Sequence, residues 1–193
     1  SKLGIGWSYL KLKQYPQADG SFSEVNLEGL EKNSRGILLL GRGILYLETK
    51  RFNEAKNVYD ELIAASSEPV ILIQAYLGKA EALYNIAEYK EAIAVYKQAQ
   101  EKSKESVPQE IIDKLHYGLA WAHLKEGEFK EAINEFQKVA KNTEDKMVKA
   151  SALCQIGDAY QDSGDFDKAK ETYDTILKDY PDSLYNDYVQ YQL

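Results

Sequence analysis

The chain has 193 residues, a formal charge of −7 and the apolar content of an ordinary folded protein, which together exclude disorder. The acidic balance argues against non-specific nucleic-acid binding, which needs a basic surface to displace counterions. Cys154 is the single cysteine, so neither an intramolecular disulfide nor an all-cysteine metal site can form. No apolar run reaches the ~20 residues that insertion into a bilayer requires; the longest, 37–47, is interrupted by Arg42.

In chain order, apolar periodicity predicts helices at about 2–13, 17–31, 34–49, 53–66, 70–86, 89–104, 108–126, 129–142, 145–163, 167–179 and 183–193. Pro16 and Pro108 are expected in first turns, and Ser106 as the cap of the helix that holds Pro108. Asp182 or Ser183 is expected to cap the last helix. The helices pair into five units, approximately 1–33, 34–69, 70–107, 108–144 and 145–182, with a trailing helix over 183–193. Both ends of the chain fall inside a unit, which predicts a fragment of a longer protein, with targeting signals and any catalytic domain lying beyond it.

The units are a repeat. An aromatic stands three residues before each of Ala18, Ala55, Ala92, Ala132 and Ala169, and these alanines are 37, 37, 40 and 37 residues apart. Twelve residues before each alanine is a small residue: Gly6, Gly43, Ala80, Ala120 and Gly157. Four residues after it is an aromatic: Phe22, Tyr59, Tyr96, Phe136 and Tyr173. The small residue and the alanine are expected where the two backbones of a pair approach most closely. The second aromatic is expected to fill the gap to the next unit. Gly127 and Gly164 suit a left-handed helix end, while Lys50 and Ala87 replace them elsewhere, so that cap is expected to be optional.

This pattern resembles the tetratricopeptide repeat family, and the resemblance covers essentially the whole chain. It is fullest over 151–181, where Leu153, Gly157, Tyr160, Gly164, Phe166, Ala169, Tyr173 and Pro181 all match. Leu83 and His123 stand where the family usually has tyrosine. The period exceeds the family's ~34, giving longer helices, as in some bacterial members. The resemblance implies an all-α fold, a right-handed superhelical solenoid of antiparallel helix–turn–helix units in a single array. Tyr180-Pro181-Asp182-Ser183 and the tyrosine-rich helix after it look like bacterial members of the cell envelope. Those include envelope-biogenesis lipoproteins and coordinators of the Tol–Pal system. The motif also occurs in cytoplasmic members, so the compartment stays open.

Residues that could carry chemistry are few. His116 and His123 share a helical face with Glu126, but occupy positions that other units use for packing, with no third ligand at metal spacing. The loop 162–167 is rich in aspartate but lacks the later glycine and terminal glutamate of a calcium loop. Cys154 has no nearby base. The expectation is a non-catalytic chain with no cofactor and no metal.

The resemblance implies a groove instead, lined by the first helix of each unit. Carried over by position, the partner-binding residues are Trp7, Leu40, Ile44, Leu47, Leu77, Tyr84, Tyr117, Trp121, Leu124 and Asp158. Leu3, Leu10, Glu81, Cys154 and Gln161 complete the row. Lys11, Glu48, Asn85, Lys125 and Asp162 form its rim, and Tyr188 and Tyr191 extend it. This surface is apolar and aromatic through four units and acidic in the fifth, unlike the cationic clamp of the family's chaperone-binding members. Two readings follow: an interaction scaffold that binds a peptide or partner helix there, or an assembly module that packs against itself or against other domains of its parent protein.

Overall fold

The computed structural model describes residues 1–26, 29–103 and 107–193; Ser106, expected to cap a helix, lies outside them. Within the described residues the chain is all-α, with eleven helices and no strand. It forms two compact bodies, Ser1–Val107 and Pro108–Leu193.

The N-terminal body holds α1 (Lys2–Lys11), α2 (Tyr15–Ser23), α3 (Lys32–Glu48), α4 (Phe52–Ala65), α5 (Pro69–Asn85) and α6 (Tyr89–Lys102). Each first helix packs on its own second helix, and α1, α3 and α5 also touch in succession. Helices α2 and α4 wedge against the first helix of the following unit. The C-terminal body holds α7 (Gln109–Lys125), α8 (Phe129–Asn142), α9 (Lys146–Asp162), α10 (Phe166–Asp179) and α11 (Asn186–Gln192). There α8 wedges between α7 and α9, and α11 lies on α10.

What holds each pair together is a ring over a missing side chain. A Cβ on Gly6 would stand 2.5 Å from the Phe22 ring, and one on Gly43 would stand 2.5 Å from the Tyr59 ring. A Cβ on Gly157 would collide with Tyr173 in the same way. Two of these rings also press on the next unit, Phe22 on Gly41 and Tyr59 on Gly78. The small residues therefore make room for an aromatic from their own unit, not for a second backbone as the spacing suggested. Phe22, Tyr59, Phe136 and Tyr173 are all almost fully buried, so each contributes a large apolar area to the core.

The turns inside the pairs are more uniform than the sequence. Lys13, Lys50, Ala87, Gly127 and Gly164 all have positive φ, between 57° and 82°. In each turn the next residue's N–H reaches back to a carbonyl five residues earlier: Gln14 to Tyr9, Arg51 to Tyr46, Glu88 to Leu83, Glu128 to His123 and Asp165 to Tyr160. That is the Schellman closure of a helix end. Glycine is optional here, but the left-handed conformation is not, which corrects the expectation of an optional cap. A β-carbon in that conformation costs about 1 kcal/mol or more. Ala87→Gly is therefore expected to raise stability by about 1 kcal/mol, read as a higher urea midpoint with unchanged helicity.

Helix α2 ends at Ser23, well short of the predicted 31. Ser23, Val25 and Asn26 are weak helix formers, and the Phe22 carbonyl is taken by the Arg42 guanidinium at 2.9 Å. Arg42 thus closes a helix end from the neighbouring unit. Helix α1 stops at Lys11 because residues 12–14 form the first left-handed turn. Pro108 is the cap before α7 and not inside its first turn. The last helix starts at Asn186 and not at 183. Ser183 Oγ accepts from Tyr185 N–H at 3.2 Å, and Asn186 Nδ2 donates to the Pro181 carbonyl, so the intervening residues turn before the helix begins.

Candidate partner-binding surface

The ten predicted groove residues divide between the bodies. Trp7, Leu40, Ile44, Leu47, Leu77 and Tyr84 belong to the N-terminal body, on α1, α3 and α5. Tyr117, Trp121, Leu124 and Asp158 belong to the C-terminal body, on α7 and α9. All ten are half-buried, each presenting one side to the protein and one to solvent. Two neighbours in the predicted row are not surface at all: Leu10 and Cys154 are buried.

Several of the aromatics have work inside the fold. Trp7 stands edge-on to Phe22 at 6.2 Å, with its indole N–H buried and without an acceptor among the described residues. Tyr117 and Trp121 both stand edge-on to Phe136, at 5.2 and 6.1 Å. The Tyr117 hydroxyl also shares a 2.7 Å hydrogen bond with Ser151 Oγ on α9. Tyr84 stacks edge-on against Tyr89, the aromatic that opens α6. These rings pack against aromatics of their own unit, and Tyr117 is tied to the next one as well. A fixed ring loses little entropy when a partner covers its other face.

Asp158 is committed within the chain. Its Oδ1 accepts from the Tyr173 hydroxyl at 2.6 Å and from the Tyr188 hydroxyl at 2.9 Å. Burial, then the bond to Asp158 and its charge, push the Tyr188 hydroxyl up to about 12. With Val189 fully buried, this tie fastens α11 over the inner side of α9 and covers Cys154. Burial, with Asp158 adding to it, lifts the Cys154 thiol to about 12, the opposite of a nucleophilic cysteine.

The histidines are structural partners of glutamates. His116 Nδ1 lies 2.6 Å from Glu135 Oε2, and His123 Nδ1 bonds Glu128, both histidines being buried. Among the described residues no cluster of three metal-ligating side chains occurs. In the loop 162–167, Asp165 caps α10 through Lys168 N–H and pairs with the Lys168 ammonium. Burial pushes the Glu135 carboxyl up, but hydrogen bonds from His116 and Lys138 and their charges outweigh it, leaving it below its ordinary 4.5. A carboxylate depressed in the folded state stabilises above its unfolded value and loses that contribution as pH falls through its folded value. Glu135→Gln should therefore cost about 2 kcal/mol at pH 7. The gap from wild type in urea denaturation should narrow as the pH falls below about 4.5.

Glu48 and Glu81 make a feature that single positions did not reveal. Glu48 ends α3 and Glu81 lies on α5, so the charges come from neighbouring first helices. Both are open to solvent, yet burial and then the charge of Glu48 hold the Glu81 carboxyl above its ordinary range. Glu48 accepts a hydrogen bond from the Tyr15 hydroxyl at 2.8 Å. Their separation of 33 residues is one repeat less one helical turn, and that was the available signal.

Sequence models of the tetratricopeptide repeat match residues 40–107, 113–146 and 151–183. No protein of curated function matches the sequence. Among solved structures, one described as the crystal structure of MamA is similar with TM-score 0.73 and 21% identity, over 90% of this chain and 93% of that one. A second, the crystal structure of MamA protein, gives 0.72 and 20%, over 92% and 88%. MamA 41-end from Desulfovibrio magneticus RS-1 gives 0.72 and 17%, over 92% of each chain. At these identities the likeness shows the fold, a helical solenoid of tetratricopeptide type.

Proposed function

The chain belongs to the tetratricopeptide repeat family, and on that premise we propose that it is a non-catalytic scaffold whose first helices bind a partner peptide or helix. The observation that carries the reading is the half-buried apolar row on α3 and α5: Leu40, Ile44, Leu47, Leu77 and Tyr84. Leu40 and Leu47 are backed by the core around Tyr59 and Leu62, and Ile44 by the core around Phe22 and Leu45, while all five keep a side open to solvent. Covering the open side of one such half-buried leucine with a partner side chain would contribute about 1 kcal/mol. In the C-terminal body Tyr117, Trp121 and Leu124 offer a comparable row, while Asp158 acts there as an internal tie.

The test is a selection of short random peptides displayed on phage against the full chain. Peptides that bind the wild type are then measured on Leu77→Lys and on Asn57→Lys, which places the same charge on the exposed side of α4. The proposal expects a loss of at least roughly tenfold for Leu77→Lys and none for Asn57→Lys. Equal binding by both variants would remove it.

A second reading, self-assembly, is favoured by a different surface. Leu184, Tyr191 and Leu193 are exposed beside α11, Tyr191 at 87% and Leu184 at 81%. Light scattering separates the two: a concentration-dependent oligomer abolished by Tyr191→Glu supports assembly, and a monomer at all concentrations leaves ligand capture.

A further inference from the structure

The N-terminal body has fourteen basic and fourteen acidic residues and is formally neutral, so the whole charge of −7 belongs to the C-terminal body, with ten against seventeen. Against that neutral background the placement of charge on the first helices is one-sided. The basic side chains of α3 and α5 are all engaged away from the two glutamates. Lys32 donates to Ser67, Arg35 pairs with Glu61 at 2.6 Å, Arg42 closes α2, and Lys79 pairs with Asp60 at 2.6 Å. Glu48 and Glu81 have no basic partner among the described residues, and the charge of Glu48 reaches Glu81 beside the apolar row.

We propose that the segment bound on the first helices of the N-terminal body carries a lysine or arginine, held by Glu48 and Glu81, next to the apolar side chains that cover Leu47 and Leu77. The inference rests on the groove reading above and adds the chemistry of the partner to it. A cation there meets two carboxylates beside the half-buried ring of Tyr84, which follows Glu81 by one helical turn on α5. An acidic segment would place like charges together in a half-desolvated site and is disfavoured.

The same phage selection of random peptides, run on the full chain and on Glu48→Gln/Glu81→Gln, decides the matter. Both residues are exposed, so the variant is expected to keep the wild-type circular dichroism and melting temperature. Wild type should enrich peptides with a lysine or arginine flanked by apolar residues. The double variant should lose that basic preference and bind the enriched peptides about tenfold more weakly. Raising the salt should narrow the difference. Glu81→Lys should instead favour a peptide in which the basic residue is changed to glutamate. Enriched peptides that are apolar without a basic residue, or that bind both proteins equally, would overturn this inference and leave the groove standing. Peptides whose binding ignores Leu77→Lys would remove the groove itself.

Discussion

Gly78→Ala is expected to destabilise the protein by about 2 kcal/mol, although the position is in the middle of a helix. Helix propensity alone predicts the opposite sign, a gain of about 1 kcal/mol for replacing glycine by alanine. The ring of Tyr59 decides the outcome. It is 1% exposed and lies between Gly43 of its own unit and Gly78 of the next, so a methyl group at 78 overlaps the ring with nowhere to send it. Overpacking of this kind costs about 1–3 kcal/mol and here outweighs the propensity gain. The check is a double-mutant cycle by urea denaturation. Tyr59→Leu should lower stability alone but make Gly78→Ala neutral or favourable, a coupling of at least roughly 1 kcal/mol. Additive effects would mean that the ring does not set the spacing between units.

Phe136→Ala is the second large effect, at about 3–5 kcal/mol. Phe136 is fully buried and is the surface on which Tyr117 and Trp121 rest. Its removal should unfix both rings as well as opening a cavity. Trp121 emission should then shift to the red in a Trp7→Phe background, where it is the remaining tryptophan. Tyr117→Ala and Trp121→Ala carry part of the same cost, so loss of partner binding in those variants would mix a lost contact with a loosened helix pair. Leu77→Lys avoids this, since a lysine stem can lie along the apolar surface with its charge in water.

The repeat made the fold legible. Apolar periodicity placed all eleven helices, with most ends within one or two residues, and the small residue, alanine and aromatic at fixed offsets paired ten of them into units. What it missed has local causes. The end of α2 depends on Arg42, which belongs to the next unit and reads in the sequence only as a charge in an apolar run. The left-handed turns at Lys13, Lys50 and Ala87 carry no glycine to announce them; their regular place in the repeat was the signal. The groove positions carried over from the family lie on first helices as expected, but position alone does not say whether a side chain already has a partner. Asp158 is tied by Tyr173 and Tyr188, one from its own unit and one from the trailing helix. Glu48 and Glu81 look like isolated charges until two neighbouring helices are laid side by side.

The claim that the first helices carry the binding surface is tested most directly by cross-linking. A peptide selected on the full chain is made with a benzophenone side chain in place of one apolar residue, bound, irradiated and mapped by mass spectrometry. Adducts are expected on α3 and α5, at Leu40, Ile44, Leu47, Leu77 or Tyr84. Adducts confined to the exposed sides of α4 and α6, around Asn57 or Lys97, would contradict it.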